Sequence, residues 1–139
     1  MDMDEFARDA LEQRRKERRE GILLTLVGVM FATIGVVLWV VGNPWMGAIG
    51  MSFGGMGILS GVSIATGTDS PSARIAIIVA CSLFALTGAL SLIAGMVAPT
   101  VWGWRGGGAG ILAGILTLGF FGPGTEILII KELRRRRPL

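Results

Sequence analysis

The chain contains no histidine, no tyrosine and a single cysteine, Cys81, among its 139 residues. Histidine is the commonest general base and the commonest metal ligand, so Ser-His hydrolysis, histidine-ligated metals and haem attached through histidine all lack a donor. One cysteine supplies neither a disulfide framework nor a cysteine metal set. The expectation is a chain without cofactor, without metal and without enzymatic activity. Charge is missing too: no Asp, Glu, Lys or Arg lies between Glu20 and Asp69, or between Arg74 and Arg105. No ordinary soluble domain tolerates such gaps. About 20 apolar residues cross a hydrocarbon core of roughly 30 Å as a helix, so the first gap holds two crossings.

What is present is glycine, 22 residues, in a sequence that is 52% hydrophobic. The expected fold is an all-α membrane protein of four transmembrane helices, at about 21–41, 46–66, 75–98 and 104–121. They divide into a transmembrane hairpin over 21–66, a cytoplasmic loop over 67–74 and a second hairpin over 75–121. A basic amphipathic helix over 1–20 precedes them and a basic tail over 122–139 follows. A secretory signal has a short basic start and an apolar core of about 7 to 15 residues. Here a longer charged segment comes first and the apolar run is longer, which reads as a retained anchor. Asn43-Pro44 favours a tight turn between spans one and two.

Arg14, Arg15, Lys16, Arg18 and Arg19 precede the first span, and Arg134, Arg135, Arg136 and Arg137 follow the last. Basic residues near span ends stay on the cytoplasmic side, so both termini are expected inside a bacterial inner membrane. The same residues are expected to attract anionic headgroups, at about 1 kcal/mol each near the surface. Lipid contact and orientation account for them without nucleic acid. Trp39 and Trp45 bracket the first turn on the opposite side, and Trp102 and Trp104 lie at the second, where amphipathic indoles favour the headgroup layer.

A gapless shift of 53 residues superimposes Gly-Gly-Met-Gly-Ile-Leu-Ser-Gly, at 54–61, on Gly-Gly-Ala-Gly-Ile-Leu-Ala-Gly, at 107–114, and Phe31-Ala32 on Phe84-Ala85. The chain reads as two tandem hairpins related by an axis along the membrane normal. The glycine spacing superficially suggests a phosphate loop. A dinucleotide fingerprint, however, needs a preceding strand and an acidic residue about 20 positions on, and both are missing. The glycines instead form stripes of three- and four-residue spacing: Gly47, Gly50, Gly54, Gly57 and Gly61 in span two, and Gly103, Gly107, Gly110 and Gly114 in span four. Gly28 and Gly35 in span one and Gly88 in span three continue the pattern. Small residues let helix backbones approach closely in lipid, so these positions are candidate packing interfaces within a four-helix bundle. Gly55, Gly106 and Gly108 lie off the stripes and point toward an outward docking seam.

Carriers coupled to protons or cations keep an ionisable residue in the bilayer. The one candidate polar site is Glu126. Counting about 1.5 Å per residue from Trp104 places it at the inner interface, after a break or kink at Gly122-Pro123-Gly124, with Thr125 capping a short terminal helix. The leading functional expectation is a non-enzymatic protein acting through helix contacts. It would serve as an accessory subunit or as a protective, toxin-immunity-type protein, with membrane lipids and a membrane protein or a second copy as partners. The alternative is a homo-oligomeric pore, small transporter or holin-like protein, whose lining would be only Ser, Thr and glycine backbone.

Overall fold

A computed structural model describes residues 2–67 and 69–137, except for the Arg105 side chain. Four helices follow one another: α1 (Met3–Val40), α2 (Pro44–Thr66), α3 (Pro71–Val97) and α4 (Gly107–Arg136), with a 3-10 segment at Pro99–Arg105 before α4. All four are long and apolar enough to cross a membrane. They fit a small multi-pass membrane protein.

Local chemistry explains the breaks. At the end of α1, Gly42 takes φ 102, while Asn43 N donates to Leu38 O at 2.9 Å and Gly42 N to Trp39 O at 3.3 Å. Those paired bonds close the last turn as a Schellman motif, which requires the left-handed residue that glycine supplies. Asn43 Oδ1 then accepts from Met46 N at 3.3 Å, capping α2, with Pro44 at its first position. Ser70 caps α3 in the same manner by accepting from Ala73 N at 3.2 Å, with Pro71 following it. Proline is tolerated there because its missing N–H would have no helical partner anyway.

Two boundaries differ from expectation. The basic segment is not separate: α1 runs unbroken from Met3 into the first span. Its i,i+4 charge pairs favour helix, and neither Glu20 nor Gly21 interrupts it. Likewise α4 passes through Pro123. Proline removes one hydrogen bond, yet the helix continues on both sides of it. Thr125 therefore caps nothing; its hydroxyl donates back to Phe121 O at 2.7 Å.

Packing joins chain neighbours: α1 to α2, α2 to α3 and α3 to α4, with no extended contact between α1 and either α3 or α4. The bundle is thus an open one, and the termini of α1 and α4 lie at one end of it. Among the described residues its buried apolar side chains are only Ala73, Ala80 and Ala94, whereas Leu26, Leu112, Leu116 and Phe120 are among many exposed large side chains. In water that inversion would leave large apolar patches uncovered. Lipid tails are as apolar as leucine, so burying such side chains gains little and small residues take the interior.

Candidate functional site

The contact surfaces begin with hairpin one. Gly21, Gly28 and Gly35, seven residues apart, are the buried residues of α1. A Cβ on Gly28 would fall 2.8 Å from Gly54 O, one on Gly35 2.9 Å from Gly47 O, and one on Gly21 2.6 Å from Gly61 O. From the α2 side, a Cβ on Gly50 would fall 3.0 Å from Gly35 Cα, and one on Gly61 would collide with the Thr25 hydroxyl. A seven-residue repeat on both helices keeps one seam in register, as in left-handed supercoils. Gly21 belongs to this seam although sequence spacing alone made it look like the start of a span.

Hairpin two repeats those contacts at an offset of 60 residues, not 53. Gly28 with Ile58, Gly35 with Met51 and Gly54 with Ala32 become Gly88 with Leu118, Gly95 with Ile111 and Gly114 with Leu92. The 53-residue register fails geometrically, since it matches Gly42, a left-handed turn residue, to Gly95, which is buried inside α3. The two offsets differ by one heptad, and a heptad of glycines looks the same after such a slip. The tips that would complete the second hairpin unwind into the 3-10 segment, where Pro99 takes the place of Trp39 against Gly107.

Several expected packing positions are reassigned. Gly103 is not on α4; it sits in the 3-10 segment at φ 64, with nothing within 4 Å of a Cβ. A Cβ on Gly110 would first meet the indole of Trp102, whose Nε1 is buried and has no hydrogen-bond partner among the described residues. A Cβ on Gly55 would meet Leu83 of α3 at 3.2 Å, so this position faces an internal contact, while Gly106, at φ 62, serves the turn. Gly108, Gly119, Gly122 and Gly124 meet nothing within 4 Å.

Aromatic rings supply what glycine does not. Phe31 packs on Phe53 at 5.1 Å, Phe53 on Phe84 at 6.0 Å and Phe84 on Phe121 at 4.2 Å. Each ring comes from a different helix, so one chain of aromatics crosses all four. In the seam of hairpin two, Phe121 stands where Gly61 stands in hairpin one. The spacing of helix axes follows the side chains at the contact, and bulk here leaves a groove below it. Arg74, Ile77 and Ile78 of α3 line that groove of about 210 Å³ with Leu128, Lys131, Glu132 and Arg135 of α4.

The hydroxyls are turned inward on their own helices. Thr25, Ser63, Ser82, Thr87 and Thr117 each donate to the carbonyl four residues earlier, at 2.7 to 2.9 Å, which satisfies them without any ligand.

Arg14, Arg15, Lys16, Arg18 and Arg19 are exposed on the projecting part of α1, and Arg134 to Arg137 are exposed at the end of α4. Arg136 Nε donates to Glu132 Oε1 at 3.2 Å. Glu126 is exposed and, among the described residues, has neither Lys131 nor an N-terminal arginine as an ion-pair partner. Because α4 runs on beside α3, Arg74 is brought alongside Lys131, and Glu126 lies about 7.5 Å further back along α4 at about 1.5 Å per residue.

Comparison with protein-family models, with curated proteins and with solved structures finds no match to this chain.

Proposed function

We propose that this protein is non-enzymatic and acts through helix contacts in the bilayer, with the outer face of α4 as its docking surface. One observation carries the proposal: Gly119, Gly122 and Glu126 share a face of α4, the glycines are open, and the carboxylate is exposed at a level where Ile127 to Ile130 still follow it. A carboxylate left facing hydrocarbon costs about 2.5 to 3.5 kcal/mol. A second helix that packs on the two glycines and donates to Glu126 removes that cost. The glycines of hairpin one offer no comparable surface, because α1 and α2 use them against each other.

An accessory subunit of a membrane complex and a protective protein that captures a membrane-active toxin both need this surface. The bacterial inner membrane, with both termini cytoplasmic, is supported by the basic residues gathered at the end that carries the termini. Duplication of one glycine-seamed hairpin is supported by the recurrence of contacts at the 60-residue offset.

The test is affinity purification of the full chain from native membranes in mild detergent. The wild type is expected to retain a companion membrane helix, either a foreign subunit or a second copy, and Gly122→Leu is expected to lose it without losing its own fold. Sustained selective ion flux through the purified chain in liposomes would overturn this reading in favour of a pore.

A further inference from the structure

We infer that α3 and α4 form a binding site for the phosphate-bearing headgroup of an anionic phospholipid, in the groove below the Phe84–Phe121 pair. The site is independent of the docking face, since Ile77, Ile78 and Leu128 line a different surface from Gly119 and Gly122.

Three cations converge on the groove from two helices: Arg74, half-buried in the first turns of α3, and Lys131 and Arg135, one turn apart on α4. The acid in the wall, Glu132, is engaged by Arg136 at 3.2 Å, and among the described residues no carboxylate pairs with the other three. The basic mouth is therefore uncompensated. Behind it the walls are Ile77, Ile78 and Leu128, continuous with the apolar exterior of both helices. A free phosphate satisfies the mouth and leaves the apolar wall bare. A phospholipid satisfies both, with its phosphate on the guanidinium groups, which fork to two oxygens, and an acyl chain along the isoleucines. Basic pockets between helices at a membrane boundary recognise anionic headgroups in this way.

The arrangement depends on two departures from regularity. Were α4 broken at Pro123, Lys131 and Arg135 would not lie beside Arg74. Were Phe121 a glycine, as at the matching position of hairpin one, the helices would close on the space.

The experiment is native mass spectrometry of the full chain in neutral detergent, titrated separately with phosphatidylglycerol, phosphatidylcholine and inorganic phosphate. The wild type is expected to retain phosphatidylglycerol at least about tenfold better than phosphatidylcholine. Combining Arg74→Gln, Lys131→Gln and Arg135→Gln should weaken phosphatidylglycerol about a hundredfold, and Lys131→Gln alone, an exposed change that leaves packing intact, about fivefold. A charge-matched control, Arg8→Gln with Arg19→Gln and Arg134→Gln, touches no groove residue and should keep the preference. Equal retention of the two lipids overturns the site, as does an equal loss in the control. Displacement of bound lipid by inorganic phosphate at matched concentration overturns the phospholipid in favour of a free anion.

Discussion

Gly28 of α1 and Gly57 of α2 meet backbone to backbone: a Cβ on Gly57 would lie 2.9 Å from Gly28 Cα. No side chain can yield at such a contact, so any addition must part the helices. Overpacking a compact core costs about 1 to 3 kcal/mol, and Gly57→Leu is expected to reach the upper part of that range. Stepwise unfolding in mixed micelles should show it as a loss of hairpin-one stability. Gly108→Leu, where nothing lies within 4 Å, should leave stability within about 0.5 kcal/mol.

Gly110 gives a different outcome, because the atoms nearest to a Cβ there belong to the Trp102 ring. Gly110→Leu should expel the indole and leave the α3–α4 seam at Gly88 and Gly114 intact. Its buried Nε1 would then reach water or headgroups, and burying an unbonded polar group costs about 1 to 3 kcal/mol, so the loss is partly offset. Tryptophan emission should shift to the red and iodide quenching should rise, while helix content stays constant.

Phe53 carries the join between the two hairpins, touching Phe31 on one side and Phe84 on the other. Aromatic pairs contribute about 0.5 to 1.5 kcal/mol each beyond their area. Phe53→Leu is accordingly expected to cost roughly 1 to 3 kcal/mol and to loosen the hairpins from one another without opening either. Proteolysis at the 67–70 loop should accelerate, with the glycine seam of hairpin one still resistant to unfolding.

A continuous α4 places Ile78 and Leu128 on opposite walls of one groove. With Cys81→Ala as background, Ile78→Cys and Leu128→Cys should be joined by a short bifunctional maleimide in nearly full yield. Pro123→Ala should change that yield little, since the helix already passes through the proline. A chain broken at Gly122 to Gly124 would show no crosslink.

The four helices and their order were legible in the sequence because a charge-free run of this length has few physical alternatives. Gly47, Gly54 and Gly61 repeat at seven along α2, and the return of α1 against α2 through the turn at Gly42-Asn43-Pro44 was legible too. The register of hairpin two was not. Identities between Gly54-Gly55 and Gly107-Gly108 favour 53 residues, whereas the wider Ala98 to Gly106 connection shifts the contacts by one heptad to 60. Gly103 was misplaced on α4 because local spacing does not reveal a φ of 64. The groove at Arg74 carries no local signal, because Lys131 and Arg135, which line it too, lie about sixty residues away and beyond a proline that suggests a break. Trp102 over Gly110 carried no sequence signal, since a loop indole can settle on any nearby small residue.

We propose that the outer face of α4 is covered by another helix, whereas the outer face of α1 meets lipid. Site-specific photocrosslinking in intact membranes tests it most directly, with a benzoylphenylalanine at Ile115, on the face of Gly119, Gly122 and Glu126, and a second at Leu26 of α1. Both positions are exposed, 55% and 61%, so the probe perturbs neither seam. A discrete protein adduct is expected from position 115 and only lipid adducts from position 26. Lipid adducts alone from position 115, or the same protein adduct from both, would contradict it.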